Sequence, residues 1–283
     1  MRTELVIAPA EDGKRLGDVL RARGYSRRLA VKLKHTEGGM TRLGVTVRTI
    51  DTVRAGEVIL LCCEEQSMIE ANDELAVPVI YEDSELVVFD KPSAMPVHPS
   101  MRHRTDTLAN LFSARYPGTV FRAVSRLDRD TSGCVPAARS QLAASVLSGR
   151  IEKSYLAVCC GVPPKNGRVT APIAREQGSV IKRCVREDGR YAETVYEVLS
   201  SDGKYSLCRV VPLTGKTHQI RVHFAYMGCP LAGDDLYGGS REDIGRQALH
   251  CAEICFVSPA DGERHRVSSP LPEDMRRLVR RGL

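Results

Sequence analysis

Residues 124–133 read Val-Ser-Arg-Leu-Asp-Arg-Asp-Thr-Ser-Gly, and in them a basic side chain, Arg126, stands two places before a carboxylate, Asp128. A second carboxylate, Asp130, opens the run Thr131-Ser132-Gly133, which has turn chemistry. Apolar segments flank the stretch on both sides. They predict a loop crossing the rim of a sheet, where side chains converge on a substrate. A carboxylate held there serves as base or as nucleophile. The same letters also describe a surface turn held by an Asp–Arg contact, and such a short stretch alone does not choose between the two.

Further blocks decide. Arg126-Leu127-Asp128-x-x-Thr131-Ser132-Gly133 resembles the signature of the RluA-type family of RNA pseudouridine synthases. Three more blocks match in the same order: Asp90-Lys91-Pro92 through Val97-His98-Pro99, Lys153-Ser154-Tyr155-Leu156-Ala157, and the stretch 214–223 that contains His218-Gln219-Ile220-Arg221. Together they span most of residues 77–258. The resemblance implies an isomerase that breaks the N1–C1′ bond of uridine, rotates the base and joins C5 to C1′, with no cofactor and no metal. By the same match Asp128 is the catalytic carboxylate and Arg221 its ion-pair partner, which opposes the desolvation that would neutralise a buried acid. Tyr155 would pack on the base, and Leu249 would cover another of its faces. Arg126 would fill the space left by the extruded nucleotide, as enzymes acting on a base require. Leu127, Thr131 and Gln219 fall in the matching blocks as substrate-binding positions. His98, between prolines, is left off the catalytic set.

The elements that must hold these residues follow from composition and pattern. With 283 residues, 42% hydrophobic and 27% charged, the chain suits one catalytic domain of ordinary size and a small appended one. No apolar run is long enough to span a membrane, and the N-terminus lacks a secretory apolar region. The ten cysteines show no Cys-x-x-Cys spacing, so they read as reduced thiols of a cytoplasmic protein rather than metal ligands. A net charge of +6 suits a polyanionic partner.

Residues 14–54 hold eleven Lys/Arg and three acidic residues. Leu16, Val19 and Leu20 recur at helical spacing up to Gly24. Ser26 is a candidate N-cap for a second helix that carries Arg27, Arg28 and Lys32 and turns Leu29 and Leu33 inward. Strands are expected at 45–48 and 58–61. Two basic helices followed by a small β unit resemble an S4-type RNA-binding domain, in which Arg27, Arg28 and Lys32 would meet phosphates; a solvated helix face is the plainer reading. From 62 to 90 there are nine acidic residues and no Lys or Arg. This predicts an S4-like domain over 1–63, an acidic linker over 64–76 and a catalytic domain over 77–283.

Within the catalytic part the pattern predicts strands at 79–81, 86–89, 155–160, 194–199, 205–212 and 249–256. Helices are expected from a Thr105 or Asp106 cap through Phe112, and over 141–148, 218–226 and 272–281. The fold class is α+β, a mainly antiparallel sheet with peripheral helices. The segment after Asp128 departs from the family, with Cys134-Val135-Pro136-Ala137 where an aliphatic strand is usual, and Pro136 belongs on an edge or at a bulge. Ser125 and Lys216 also replace the family's His and Arg. The partner implied is RNA, a structured ribosomal RNA such as 23S ahead of a transfer RNA, with no membrane and no obligate protein partner. Two other classes fit less well: an RNA-binding assembly factor that kept the fold, and a glycosidase-like hydrolase, which needs a second carboxylate across the sugar.

Overall fold

The computed structural model describes residues 2–62 and 67–279. The expected boundary at residue 63, the start of the acidic linker at 64–66 and the end of the C-terminal helix lie outside the described residues.

The N-terminal segment folds around its own core. Helix α1 (Leu16–Ala22) buries Leu16, Val19 and Leu20, and Gly24 follows it at φ +87, the left-handed conformation that ends helices. Helix α2 (Arg27–His35) starts where Ser26 Oγ accepts the Leu29 N–H at 3.2 Å. Both helices cover a four-stranded sheet in the order β1-β4-β2-β3, made of β1 (Arg2–Val6), β2 (Met40–Arg42), β3 (Val45–Thr46) and β4 (Val58–Cys62). β1 and β2 were not expected. β2 ends at the turn through Leu43 and Gly44, and its partner β3 is shorter than the expected 45–48 strand. The sheet and helices enclose Leu29, Leu33, Ile59 and Leu61 in a core separate from the main one.

This segment is docked on the rest. Ser145, in helix α4 (Gln141–Leu147), accepts the Ser26 N–H at 2.7 Å and donates to the Gly24 carbonyl at 3.0 Å, while Leu142 of α4 packs on the N-terminal core. The acidic stretch is also tied down. Asn110, in helix α3 (Leu108–Arg115), donates its amide to the Glu70 carbonyl at 2.7 Å, and its own carbonyl accepts from Asn72 N–H at 3.1 Å.

Most of the chain forms a ten-stranded mixed sheet, largely antiparallel. Its main path runs β10 (Asn166–Thr170), β13 (Glu193–Ser201), β14 (Tyr205–Pro212), β9 (Glu152–Cys160), β15 (Leu249–Val257), β8 (Ser132–Ala138), β6 (Leu86–Lys91) and β5 (Val79–Glu82). Two further strands branch from it: β7 (Arg122–Ala123) on β8 and β16 (Arg264–Ser268) on β15. A separate hairpin joins β11 (Ile173–Arg175) to β12 (Arg183–Val185). Helix α5 (Gln219–Tyr226) is buried nearly all round, and α6 (Glu273–Val279) closes the described chain. The order of strands explains the site: β8 and β15 run parallel at Ser132 and Gly133, and β9 lies antiparallel on the other side of β15. Strand ends from distant parts of the sequence thereby meet at one rim.

One expectation holds only locally and one needs correction. Pro136 is not on an edge strand, but it lies at a local edge of β8, paired with β6 on one side and with no named strand on the other. It sits inside β8, opposite Val88 of β6, and is buried. The ladder tolerates it because β8 leaves β15 after Gly133 and joins β7 only at Ala137. Val124 N–H donates to the Pro136 carbonyl at 2.9 Å, so the missing proline N–H faces that same gap. The cap of α3 is Thr107, whose backbone N–H reaches Asn110 Oδ1 at 3.2 Å, rather than Thr105 or Asp106. Asp106 pairs with His103 instead, at 2.6 Å.

Candidate active site

Asp128 stands in the loop between β7 and β8, and the loop backbone is fastened from several directions. Thr131 N–H donates to the Asp128 carbonyl at 3.1 Å. Lys91, at the end of β6, is fully buried and donates to the carbonyls of Arg129 (2.9 Å), Met95 (2.8 Å) and Pro92 (2.7 Å). Arg246 reaches the Asp130 carbonyl at 3.3 Å, and Gln247 donates to Thr131 Oγ1 at 3.2 Å. Burial pushes the Lys91 ammonium down to about 7, a fall that Arg246 adds to and Asp130 and Asp128 oppose. Its three carbonyl acceptors match the three donors of an ammonium.

The loop then enters β8 through Gly133, which has φ +106. A Cβ there would lie 2.2 Å from the Cys251 carbonyl oxygen, so only glycine lets β8 begin against β15. The Thr-Ser-Gly run is thus the hinge that turns Asp128 over the strand ends.

Asp128 Oδ2 is 3.1 Å from Nη1 of Arg221, and its side chain keeps 30% exposure, so the carboxylate is supported on one side and open on another. Arg221 projects from α5 and is itself clamped. Its Nε and Nη2 donate to the two oxygens of Asp234 at 2.7 and 2.8 Å, and its guanidinium carbon lies 5.0 Å from the ring centre of Tyr237. Burial works against the charge on Arg221, but Asp234 and then Asp128 more than offset it and hold the guanidinium charged. His218, the N-cap of α5 at φ +57, places Nε2 3.7 Å from Asp128 Oδ2. Asp130 turns the other way, onto Arg129 at 3.0 Å.

Tyr155, in β9, is buried, and burial pushes its phenol well above the usual value, with Cys251 and Asp128 adding to the rise. It therefore stays protonated at neutral pH. Cys251 of β15 lies opposite it, and Leu249, two residues earlier on β15, is buried opposite Ala157. Leu127 is buried in the main core, while Arg126 is exposed beside Asp128. Asp128 and Arg221 are in direct contact, Tyr155 inside β9 is near enough to Asp128 to feel its charge, and Leu249 opens β15 two residues before Cys251, the residue opposite Tyr155.

Gln219 and Thr131 are used within the protein. The Gln219 amide oxygen accepts from Thr214 Oγ1 (2.8 Å) and Lys216 N–H (3.0 Å), and its nitrogen donates to the Glu193 carbonyl (2.8 Å) and Thr194 Oγ1 (3.0 Å). All four capacities are filled, so Gln219 braces the 214–218 loop instead of facing a ligand. Thr131 is buried, with both N–H and hydroxyl engaged as above. Ser125 Oγ is buried with no hydrogen-bond partner among the described residues.

Sequence reasoning passed over Asp234, Tyr237, Arg246 and the burial of Lys91. The signal for the first two was available: an acidic pair followed by Leu236-Tyr237-Gly238-Gly239, a turn shortly after the 214–223 block. On α2, Arg27 and Arg28 are exposed and Lys32 is half-buried, far in sequence from Asp128.

A family profile described as RNA pseudouridylate synthase matches residues 85–226. The chain is 36% identical to an uncharacterised RNA pseudouridine synthase of Bacillus subtilis, over 91% of this chain and 95% of that one. It is 37% identical to the ribosomal large subunit pseudouridine synthase D of Xanthomonas campestris, over 83% of this chain and 78% of that one. Among solved structures it resembles human RNA pseudouridylate synthase domain containing 1, with a TM-score of 0.58 and 26% identity, over 75% of this chain and 97% of that one.

Proposed function

The chain belongs to the RNA pseudouridine synthase family, and we propose that its substrate is a uridine in large-subunit ribosomal RNA. It is an isomerase acting on RNA. The ribosomal target is supported by relatives from Xanthomonas campestris and Pseudomonas aeruginosa, both named ribosomal large subunit pseudouridine synthase D.

Asp128 is the catalytic carboxylate. It adds to C1′ or removes the C2′ proton; both routes free the base, which turns and bonds through C5. What carries this reading is the Asp128–Arg221 contact of 3.1 Å, in which a buried, clamped guanidinium pairs with a carboxylate that stays partly exposed. Tyr155 stacks on the base as a neutral phenol, a contact worth roughly 1–3 kcal/mol in other base–aromatic pairs. Leu249 covers the base from β15. Exposed Arg126 fills the place of the extruded nucleotide. Leu127 and Thr131 shape the loop from inside, and Gln219 holds the start of α5.

Residues 1–63 act as a separate S4-like RNA-binding unit, 64–76 as its linker and 77–283 as the catalytic unit. The two separate cores and the exposed Arg27 and Arg28 support this division, with Lys32 on the same helix. The test is to map pseudouridine in ribosomal RNA from a strain lacking the gene. Loss at one or a few large-subunit positions, restored by wild type and not by Asp128→Asn, is the expected result. An unchanged large-subunit map with loss in transfer RNA would move the substrate.

A further inference from the structure

We propose that His218 is a positioning residue that presents a neutral Nε2–H to Asp128, and that Tyr237 sets the tautomer that makes it do so. This rests on the reading of Asp128 as the reacting carboxylate. Backbone N–H of Arg183, in the β11–β12 hairpin, donates to Tyr237 Oη at 3.0 Å. The same Oη is 2.8 Å from His218 Nδ1. A hydroxyl that accepts from Arg183 still has its own proton to give, and His218 Nδ1 lies within reach to accept it. Nδ1 is then an acceptor, so the ring proton sits on Nε2. That nitrogen faces Asp128 Oδ2 across 3.7 Å. The opposite tautomer would turn a bare lone pair on a carboxylate and strand the tyrosine proton.

The surroundings agree. Burial pushes the Tyr237 hydroxyl up to about 12, so it remains a donor across the neutral range. Burial also pushes His218 below the usual imidazole range, and Arg221 and Arg183 add to this while Asp128 and Asp234 oppose it. A neutral donor suits the place, because Arg221 already supplies the cation. His218 is held in the left-handed conformation at the start of α5, and its ring lies 5.7 Å from that of Tyr237, edge to face. The arrangement links the hairpin backbone to the reacting carboxylate through two side chains.

Two measurements test it. In the free enzyme, nitrogen-15 NMR of the imidazoles should show His218 as the Nε2–H tautomer, and Tyr237→Phe should mix or reverse it. An Nδ1–H tautomer in wild type overturns the proposal whatever the activity. Turnover is read as tritium released from uridine C5 in transcribed large-subunit ribosomal RNA, since bonding C5 to C1′ expels that hydrogen. Tyr237→Phe, which keeps the ring over Arg221, should lower kcat roughly ten-fold with KM little changed, the size of one hydrogen bond to a charged group formed when the 3.7 Å approach of His218 to Asp128 closes in the substrate complex. His218→Ala should do the same, and His218→Gln, whose amide nitrogen stands in for Nε2, should recover most of the loss. Folding of each variant is checked by circular dichroism. Full kcat in both Tyr237→Phe and His218→Ala, or no recovery in a folded His218→Gln, refutes the role. A wild type that releases no tritium counts against the proposed substrate instead, and the tautomer seen by NMR then decides the role of His218 by itself.

Discussion

Arg221 meets Asp234 through two hydrogen bonds of 2.7 and 2.8 Å, and Asp128 through one of 3.1 Å. The guanidinium is therefore fixed by an acid that is wholly buried before it supports Asp128, the acid proposed to react. Asp234→Asn should lower stability by about 3–5 kcal/mol, because it leaves a buried arginine short of a partner. It should also reduce kcat. Arg221→Lys should lose activity by roughly a hundred-fold, since an ammonium cannot span Asp234 and reach Asp128 together. Denaturant titration and single-turnover rates check both.

Lys91 gives a pH signature. Its folded value, about 7, lies below the ordinary 10.5, so between those values the unfolded chain binds more protons than the folded one. Stability then rises with pH across that window and is flat below it. Relative to Lys91→Met, the wild type should gain on the order of a few kcal/mol from pH about 7 to about 10. Denaturant melts of both proteins at several pH values measure the difference, and a constant offset would contradict the buried amine.

Gly133 should tolerate no side chain. Gly133→Ala forces a Cβ to within 2.2 Å of a strand carbonyl at φ +106, and we expect about 3 kcal/mol or more of destabilisation, with loss of turnover because the same turn aims Asp128. Melting and activity measured on the same preparation test this.

Arg27 and Arg28 should act on affinity without regard to sequence. Replacing both by Ala should flatten the logarithmic salt dependence of RNA binding by up to about two, roughly 0.9 for each phosphate no longer neutralised. Filter binding across a salt series reads the slope, and an unchanged slope removes α2 from the interface.

The parts of this structure that sequence made legible share one property: they depend on local rules or on blocks that keep their order. The Ser26 cap, the helix of Leu16, Val19 and Leu20, and the 205–212 strand follow from spacing alone. Asp128 and Arg221, 93 positions apart, could be expected to meet only through matching blocks, because no period links them. Pro136 shows why the rest stayed hidden. Whether a proline fits a strand depends on whether a neighbour needs its N–H, and that neighbour comes from another part of the chain. Asp234 and Tyr237 were missed for a similar reason: in sequence they belong to a turn, and only the return of that turn onto α5 puts them against Arg221. Lys91 was visible as a motif letter, but nothing local shows that its amine is sealed beneath the loop it holds.

The central claim is that the carboxylate of Asp128 performs the isomerisation. Purified wild type and Asp128→Asn, incubated with uridine-labelled large-subunit ribosomal RNA and followed by nucleoside analysis, test it most directly. The expected result is pseudouridine from wild type and none from the variant, with RNA binding retained by both. Pseudouridine formed at a comparable rate by Asp128→Asn, or free uracil released by the wild type, would contradict it.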